Sequence, residues 1–346
     1  MTEQTTKVTG QSIQPIAQER PGGARLHGFL GLTLLVLLLL LWLALSFGTT
    51  TFWTSNNMAN LLRQGAMIAV LAIGETFVII TAGIDLSVGA IVGFVSMTVA
   101  WLMAHDLGFA SSIAGAVAIS LAIALSVGAF HAFGITYLGL PPFIMTLATM
   151  YALRGIGLLV TNGATISIDN DAFTGFSRSS FLGFPWTDGT WFAVPTLFWM
   201  VIVVALPLHI LLTKYRWGRY LIVIGGNKDA AVLSGINVTA MVYLAYVISA
   251  FCAGVVGVML AMRIGIGNPT QADGWELQAI ASSVIGGASL FGGFGTVHGP
   301  LIGSFILTTI NNGANLLNLN SFWQRVITGA LIIIVVYFDT IRRRRR

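Results

Sequence analysis

The sequence contains very little charge. Only 8% of its 346 residues are Asp, Glu, Lys or Arg, whereas 56% are hydrophobic. Because soluble domains carry about 25% charged residues, a chain this poor in charge cannot cover a water-facing surface, and most of its surface must face lipid. Its apolar runs are about 17–25 residues long, which indicates spanning helices rather than the short alternating segments of a β-barrel. We therefore predict an all-α polytopic membrane protein.

Cysteine and catalytic motifs are also scarce. Cys252 is the only cysteine and lies in an apolar segment, so no disulfide can form within the chain. The sequence has no G-x-x-x-x-G-K-[ST] phosphate-binding loop and no G-x-S-x-G nucleophile motif, and its five histidines lack metal-ligand spacing. We expect a chain that is not an enzyme and that holds no cofactor or metal. If transport is driven by ATP, the ATPase that binds ATP and Mg²⁺ must be another polypeptide.

What the sequence does contain is ten apolar segments, each a candidate span. They lie near residues 29–47, 66–82, 87–104, 110–133, 142–161, 193–213, 240–264, 277–290, 297–315 and 323–340. An even number of spans places both termini on one side, and basic residues identify that side as the cytoplasm. Three basic clusters agree, since they precede the first span, follow the sixth span and end the chain. The terminal run Arg342–Arg346 is explained by this topology, so we do not expect nucleic-acid binding.

The spans divide the chain into three parts. Residues 1–27 form a polar tail that we expect to be disordered in the cytoplasm, 28–340 form one transmembrane domain with a cytoplasmic loop at 214–239, and 341–346 form a basic cytoplasmic tail. Spans 2–5 and 7–10 run in opposite directions, and each set contains a glycine-rich hairpin. Such inverted repeats are typical of transporters, so we predict one here. On the opposite side, the aromatic residues of Asn162–Phe192 form either an interfacial belt or a docking surface for an outside partner.

The first hairpin, GETFVIITAGIDLSVGAIVGF (74–94), contains two carboxylates. Glu75 is the tenth residue of a 17-residue predicted span, near the bilayer middle, where an ionised carboxylate costs about 2.5–3.5 kcal/mol. It either faces the translocation path or bundle as a functional group, or ties two helices together as a buried carboxyl. Gly83 is suited to end its helix in a left-handed conformation, and Asp85 is suited to cap the next helix. We favour this capping role of Asp85 over direct contact with a substrate.

The second interrupted region contains Asp273 and Glu276, whose spacing resembles a capping box at the start of a helix. That helix, ending near Ala288, spans only about 20 Å and is too short for a hydrocarbon core of about 30 Å. A short helix of this kind lines a cavity, because its freed backbone groups need water or protein partners. Arg154 is another charged residue within a span. It either pairs with Glu75 or reaches backbone carbonyls at a helix break, and we favour a structural ion pair.

The cytoplasmic loop reads KYRWGRYLIVIGGNKDAAVLSGIN (214–237). Asn227 is suited to cap a helix, Asp229 lies in its first turn and Gly235 is placed to end it. This pattern predicts a short helix at about Lys228–Ser234 on the cytoplasmic face. The helix is either a simple connector or the surface on which a soluble ATPase docks.

Four blocks of the sequence resemble the ribose-type monosaccharide permeases, the membrane subunits of bacterial ATP-binding-cassette (ABC) sugar importers. The blocks are TAGIDLSVGA (81–90), GRYLIVIGGNKDAAVLSGINV (218–238), GNPTQADGWELQAIASSVIGGASLFGGFGTVHGPLIGSFI (267–306) and NNGANLLNL (311–319). Shorter matches extend the resemblance over nearly the whole chain. The resemblance implies a place in the bacterial cytoplasmic membrane, a second permease copy or a related one, a pair of cytoplasmic ATPase domains, and a periplasmic or membrane-anchored sugar-binding protein.

Residue chemistry and resemblance together give two groups of candidate functional residues. Those along or beside the translocation pathway are Glu75, Asp85, Ser87, Asp273 and Glu276. Those that couple the chain to the ATPase are Gly218, Arg219, Gly225, Gly226, Asn227, Asp229, Ser234 and Gly235. Glu75 stands where ribose permeases carry Met, so the resemblance does not identify ribose itself as the sugar.

The leading hypothesis is import of a monosaccharide, ribose or a related sugar, by alternating access driven by the partner ATPase. A proton-coupled secondary transporter that uses Glu75 is the alternative, since acids within the membrane serve proton relays. That alternative leaves the predicted coupling helix unexplained. A receptor or structural membrane protein is a third class, and the broken helices argue against it.

Overall fold

The computed structural model describes residues 23–344, and the statements below concern this part of the chain. Its helices are α1 (Gly23–Gly48), α2 (Ser55–Ile80), α3 (Val88–Ala104), α4 (Ile113–Thr136), α5 (Pro142–Thr161), α6 (Asp171–Arg178), α7 (Thr196–Lys214), α8 (Arg216–Gly226), α9 (Lys228–Leu233), α10 (Val238–Ile264), α11 (Trp275–Ile285), α12 (His298–Leu316) and α13 (Ser321–Arg344), with a 3₁₀ turn at Gly108–Ser111. The strands are β1 (Ile166–Ser167), β2 (Ser180–Pro185), β3 (Trp191–Pro195) and β4 (Ile266–Gly267), paired antiparallel as β1–β4 and β2–β3. Most of the predicted tail at 1–27 and the last two residues of the basic tail lie outside the described residues.

Seven of the described helices are long and apolar enough to cross a membrane, namely α1, α2, α4, α5, α7, α10 and α13. The helix α3 is apolar but has only 17 residues, and α11 has 11. Each of the ten predicted spans overlaps one of these helices or α12. The structure therefore agrees with an all-α polytopic membrane protein, whereas the count of ten spans and the inverted repeat stay predictions.

The centre of the bundle is formed by α2 and α10. The apolar stretches of these two helices are 89% and 83% buried inside the protein, whereas that of α13 is 0% buried. The two helices approach closely because small residues face each other: a Cβ atom on Gly74 would lie only 2.7 Å from the Cβ of Cys252. The helix α2 also packs on α7, α11 and α12, and α10 packs on α3, α4 and α6. Apolar side chains on the remaining long helices are left for lipid or partner chains.

The central helix α2 begins earlier than the sequence suggested. It starts at Ser55, after the Thr54 cap, rather than near residue 66. Its polar first turns find partners within the protein, since the side-chain amides of Asn57 and Asn312 exchange hydrogen bonds of 3.2 and 2.7 Å. Glu75 consequently lies about one and a half turns before the end of a 26-residue helix. The predicted bounds of this helix, 66–82, are therefore wrong, whereas the place of Glu75 near the middle of the bilayer stays a prediction.

The chain between α5 and α7 folds over the N-terminal end of α2. It contains β1, α6 and the β2–β3 hairpin, whose aromatic residues pack together, with the ring centroids of Trp186 and Phe192 4.6 Å apart. Trp186 also donates its indole N–H to the carbonyl of Trp53. The predicted interfacial belt and the alternative docking surface would both use this aromatic cluster, and both stay predictions.

Asp188 fastens the β2–β3 hairpin to α2. Its carboxylate accepts hydrogen bonds from the Thr190 hydroxyl at 2.5 Å, the Thr190 N–H at 3.0 Å and the Ser55 N–H at 2.8 Å. These bonds, with that of the Thr190 hydroxyl foremost, lower the pKa of Asp188 from 3.8 to about 2. The charged carboxylate is the form that holds the two elements together.

We expect the hairpin to loosen from α2 as the pH falls from about 4 to 2. A carboxyl whose pKa is depressed by folding contributes stability above its unfolded pKa, and that contribution is lost as the pH falls through the folded pKa. Protection of the Ser55 and Thr190 amides against hydrogen exchange, taken relative to the unstructured rate at each pH, should therefore drop over this window. The Asp188→Asn variant cannot ionise and should show no such drop. Equal protection at both ends of the window in the native protein would contradict this role of Asp188.

Candidate functional site

The chain leaves its helical path between α10 and α11, in a segment that we call the helix break (265–274). Gly265 ends α10 with φ 73°, and Gly274 precedes α11 with φ 79°. Both values lie in the left-handed region, where a Cβ atom is strained and glycine is favoured. The helix break therefore replaces about three turns of helix with backbone whose N–H and C=O groups need other partners.

The helix break lies along a glycine face of α3. A Cβ atom on Gly89 or Gly93 would lie 2.7–2.9 Å from its backbone carbonyl oxygens, so only glycine permits this approach. The contacts run in antiparallel order, with Gly267 beside Met97 and Glu276 beside Gly89. Gly89 and Met97 are about 12 Å apart along the axis of α3. The start of α11 therefore lies about 12 Å from β4, nearer the N-terminal end of α3. Its 11 residues span about 16 Å, which agrees with the short helix predicted from the sequence.

Arg154 holds the helix break from the side of α5. Its guanidinium donates through Nη1 to the carbonyl of Pro269 and, at 2.6 Å, to that of Gln271. Within the described residues no salt bridge joins Arg154 to Glu75, so the ion pair favoured from the sequence is wrong and the carbonyl alternative is correct. The physical reason is the break itself, because unpaired carbonyls accept strongly from a charged donor. Arg154 is also close enough to Asp273 and Glu276 to attract both carboxylates.

The predicted capping box at the start of α11 is not formed. The residue that precedes the helix is Gly274, in its left-handed conformation, and no side chain caps the first turn. Asp273 therefore stands one position too early to act as the cap, and it is exposed. Glu276 instead packs against α3, where a Cβ atom on Gly89 would lie 2.2 Å from its Oε2 atom.

A polar pocket of 500 Å³ opens beside the start of α11, between α11, α12 and α13. Its lining combines carboxylates, carboxamides and a guanidinium with the apolar side chains of Leu277 and Ile332. The polar side chains belong to Asp273, Glu276, Gln278, Asn311, Gln324 and Arg325. The sequence pointed to the two carboxylates of this lining but gave no reason to choose the side chains of α12 and α13.

The other three candidate pathway residues lie together in a buried turn between α2 and α3. Glu75, Asp85 and Ser87 are each 0% exposed. Oε1 of Glu75 accepts the N–H of Asp85 at 3.1 Å. Asp85 in turn accepts the N–H of Ser87 at 2.9 Å, the hydroxyl of Ser87 at 2.6 Å and the hydroxyl of Ser249 at 3.1 Å. Glu75 thus ties α2 to the turn, and Asp85 ties the turn to α10.

Two details of this turn differ from the sequence prediction. Ser87 rather than Asp85 is the residue that immediately precedes α3, although Asp85 does accept a backbone N–H as expected. The left-handed residue that ends α2 is Ala82, with φ 62°, and not Gly83. Position 83 is constrained by space, because a Cβ atom there would lie 2.6 Å from the hydroxyl of Tyr246.

The sequence did not reveal which residues of α4 and α10 surround this turn. His131 of α4 and Tyr246 and Ser249 of α10 are at most 1% exposed, and the rings of His131 and Tyr246 are 6.1 Å apart. Together with Glu75 and Asp85 they form what we call the buried polar cluster. The signal for Tyr246 and Ser249 was their spacing of three residues, which places them on one face of a helix.

At the same end of α2, three parts of the chain meet through backbone alone, in what we call the glycine junction (Ile80, Gly225, Gly292 and Gly293). The N–H of Gly293 donates to the carbonyl of Ile80 at 2.9 Å. A Cβ atom on Gly225 would lie 1.8 Å from that same carbonyl oxygen. The glycine junction therefore brings the end of α8 against both glycine-rich hairpins.

The predicted short helix follows the glycine junction directly. The Asn227 side chain accepts the N–H of Ala230 at 2.9 Å and caps α9, which ends at Leu233 rather than Ser234. Gly235 follows with φ 76°, as its placement suggested. The helix presents Leu233, 89% exposed, to its surroundings.

The candidate coupling residues divide by exposure. Exposed positions are Arg219, Gly226, Asn227, Asp229, Ser234 and Gly235. Gly225 is half-buried at the glycine junction, and Gly218 is buried. A Cβ atom on Gly218 would lie 2.2 Å from the carbonyl oxygen of Leu212, so this glycine serves the packing of α8 on α7.

Comparison with known proteins places these features in a family. The family described as branched-chain amino acid transport system / permease component matches residues 57–336. The D-allose transport system permease protein AlsC of Escherichia coli is 38% identical, over 83% of this chain and 84% of the relative. The ribose import permease protein RbsC of Bacillus subtilis is 39% identical over 91% and 92%, and the xylose transport system permease protein XylH of Escherichia coli is 31% identical over 85% and 87%. No solved structure matches this chain.

Proposed function

Since this chain belongs to the family of branched-chain amino acid transport system permease components, we propose that it is the membrane-spanning subunit of an ABC importer for a monosaccharide. Relatives that are 31–39% identical to it over most of its length are named for allose, ribose and xylose. All three are neutral monosaccharides, which favours a sugar over the amino acids of the family description. We propose ribose or a closely related sugar as the substrate.

The glycine junction carries the proposal that transport is driven by a partner ATPase. The exposed helix α9 adjoins Gly225, whose backbone is in direct contact with the carbonyl of Ile80. If the ATPase displaces α9, the movement is therefore transmitted through backbone contacts to the turn before α3 and to the hairpin before α12. No flexible side chain lies between α9 and these two segments to absorb the movement. Movement of the N-terminal ends of α3 and α12 would open the path alternately to either side of the membrane, which is the mechanism of alternating access.

The two groups of candidate residues take different roles in this mechanism. We propose that Asp273 and Glu276 face the pathway, because they line an open polar pocket. Glu75, Asp85 and Ser87 are fully buried, and we propose that they hold the turn beside the pathway. The exposed residues around α9 would contact the ATPase, and Gly225 would transmit the movement.

The proposed assembly has four further components and a defined orientation. A second copy of the chain, or a related permease, joins a pair of cytoplasmic ATPase domains and a periplasmic or membrane-anchored sugar-binding protein in the bacterial cytoplasmic membrane. Ten spans with an inverted repeat of spans 2–5 and 7–10 would place α9 and both termini in the cytoplasm. Within this topology, 1–27 and 341–346 are cytoplasmic tails and 28–340 is the permease domain.

Reconstitution tests this function. The chain would be placed in lipid vesicles with its partner ATPase and sugar-binding protein, and uptake of labelled ribose, allose and xylose would be measured with and without ATP. We expect uptake of at least one of these sugars that requires all three proteins and ATP. No ATP-dependent uptake of any monosaccharide by the complete assembly would refute the proposal.

The same vesicles distinguish the proton-coupled alternative. That alternative predicts uptake by this chain alone, driven by a pH gradient and abolished in the Glu75→Gln variant. The importer proposal predicts no such uptake. Because a Gln side-chain oxygen still accepts the N–H of Asp85, the proposal also predicts that Glu75→Gln retains ATP-driven uptake in the complete assembly.

A further inference from the structure

The polar pocket between α11, α12 and α13 has the dimensions of a small-molecule site. Its 500 Å³ lies within the range of about 300–1,000 Å³ that is typical of ligand pockets. Gln278 and Asn311 each carry a donor and an acceptor side by side, and the carboxylates add acceptors. Gln324 donates one N–H to Oδ1 of Asn315 at 2.6 Å, which leaves its second N–H and its amide oxygen for a ligand. Adjacent hydroxyl groups on a sugar ring offer the same alternation of donor and acceptor.

The charges around the polar pocket balance. Asp273 and Glu276 contribute two negative charges, and Arg325 contributes one positive charge to the lining. Arg154 is not part of this lining but is close enough to both carboxylates to attract them, which adds the second positive charge. A pocket with many hydrogen-bonding groups and balanced charge suits a neutral polar ligand rather than an ion.

The place of the pocket in the fold also fits a transported ligand. Its floor is the start of α11, which directly follows the helix break. Its wall is a polar stripe on α13 formed by Gln324, Arg325 and Thr328, on a helix otherwise apolar enough to span a membrane. These side chains lie in the first two turns of α13, near one end of its apolar stretch, where they can meet water as well as the pocket. Asn311 lies about 20 Å along α12 from the hairpin of the glycine junction, so the pocket is nearer the opposite face.

We infer that this polar pocket binds one neutral monosaccharide within a single copy of the chain, before the sugar passes toward the glycine junction. This inference rests on the proposed function and specifies where the substrate is held. Carboxamides and carboxylates of the lining bind the ring hydroxyls. Arg154, through the helix break, keeps α11 in the position that shapes the pocket.

Cysteine labelling tests occupancy directly. The native Cys252 is buried and 0% exposed, so the chain has a low background for thiol reagents. Thr328→Cys places a thiol in the pocket lining, and Ser180→Cys places one on the exposed β2 strand. Labelling rates with a methanethiosulfonate reagent would be measured in the purified assembly, with the sugar that it imports and with the phosphate ester of that sugar. We expect the free sugar to slow labelling at Thr328→Cys several-fold and to leave Ser180→Cys unchanged.

Transport kinetics supply an independent readout. Gln278→Leu and Gln324→Leu each remove hydrogen bonds to the sugar, and we expect each to raise the KM for uptake by up to about tenfold while ATP-driven uptake at saturating sugar persists. Labelling that the sugar does not slow, in an assembly that imports it, would overturn the inference and leave the proposed function intact. Stronger protection by the sugar phosphate would overturn the neutral ligand class. Failure of the wild-type assembly to import any sugar would refute the proposed function instead.

Discussion

Substituting Gly225 by Ala is expected to abolish ATP-driven uptake. The new Cβ atom would lie 1.8 Å from the carbonyl oxygen of Ile80 and 2.5 Å from the amide nitrogen of Gly293. Both neighbours are backbone atoms, so no side chain can rotate away and the hairpins themselves must move. Overpacking of this kind costs about 1–3 kcal/mol, and here it also strains the 2.9 Å hydrogen bond between Gly293 and Ile80. We expect uptake in reconstituted vesicles to fall at least about tenfold, to the background measured without ATP.

A glycine outside the candidate coupling residues is a matched control for this substitution. A Cβ atom on Gly175, in α6, would meet nothing within 4 Å, so Gly175→Ala should transport like the wild type. Thermal unfolding and co-purification with the ATPase should be measured for both variants. A role in coupling predicts that Gly225→Ala still folds and binds the ATPase but hydrolyses ATP without uptake. Normal uptake by Gly225→Ala would show that the glycine junction does not transmit movement.

Local patterns in the sequence predicted the elements of the fold well. The ten apolar segments each overlap a helix, because backbone groups in lipid need internal hydrogen bonds, which a helix supplies. The short helix α9 was placed to within one residue, since Asn227 and Gly235 are local signals at its two ends. Helix positions and helix ends that depend on one short stretch of the chain can thus be predicted from the sequence alone.

Features that depend on contacts between distant parts of the chain were not accessible. The start of α2 was missed because the polar Asn57 is satisfied by Asn312, which lies 255 residues away. Gly83 suggested a left-handed turn. Glycine is needed at this position for a different reason, because a Cβ atom would be too close to the hydroxyl of Tyr246. The sequence could not identify the partners of Arg154 for the same reason. Every residue has a backbone carbonyl, so the sequence does not show which carbonyls lack a partner at a helix break.

Arg154 gives the second large expected effect. Arg154→Met keeps the apolar stem of the side chain. The carbonyls of Pro269 and Gln271 lose their hydrogen-bond donor. The carboxylates of Asp273 and Glu276 no longer have the guanidinium charge nearby. Hydrogen bonds to charged groups contribute about 1.5–3 kcal/mol each, and the half-buried guanidinium places these at the low end, so we expect a loss of about 3 kcal/mol in folding stability. We expect a lower midpoint of thermal unfolding and loss of uptake.

Lysine at this position separates charge from geometry. Arg154→Lys keeps the positive charge, but an ammonium lacks the planar fork with which the guanidinium serves two carbonyls, so we expect only partial recovery of stability and uptake. Arg178→Met removes an exposed arginine at the end of α6 and should change neither measurement. Full activity in Arg154→Met would mean that the helix break holds its shape without this side chain. Full recovery in Arg154→Lys would mean that a positively charged donor near the helix break is enough and that the planar fork of the guanidinium is not needed.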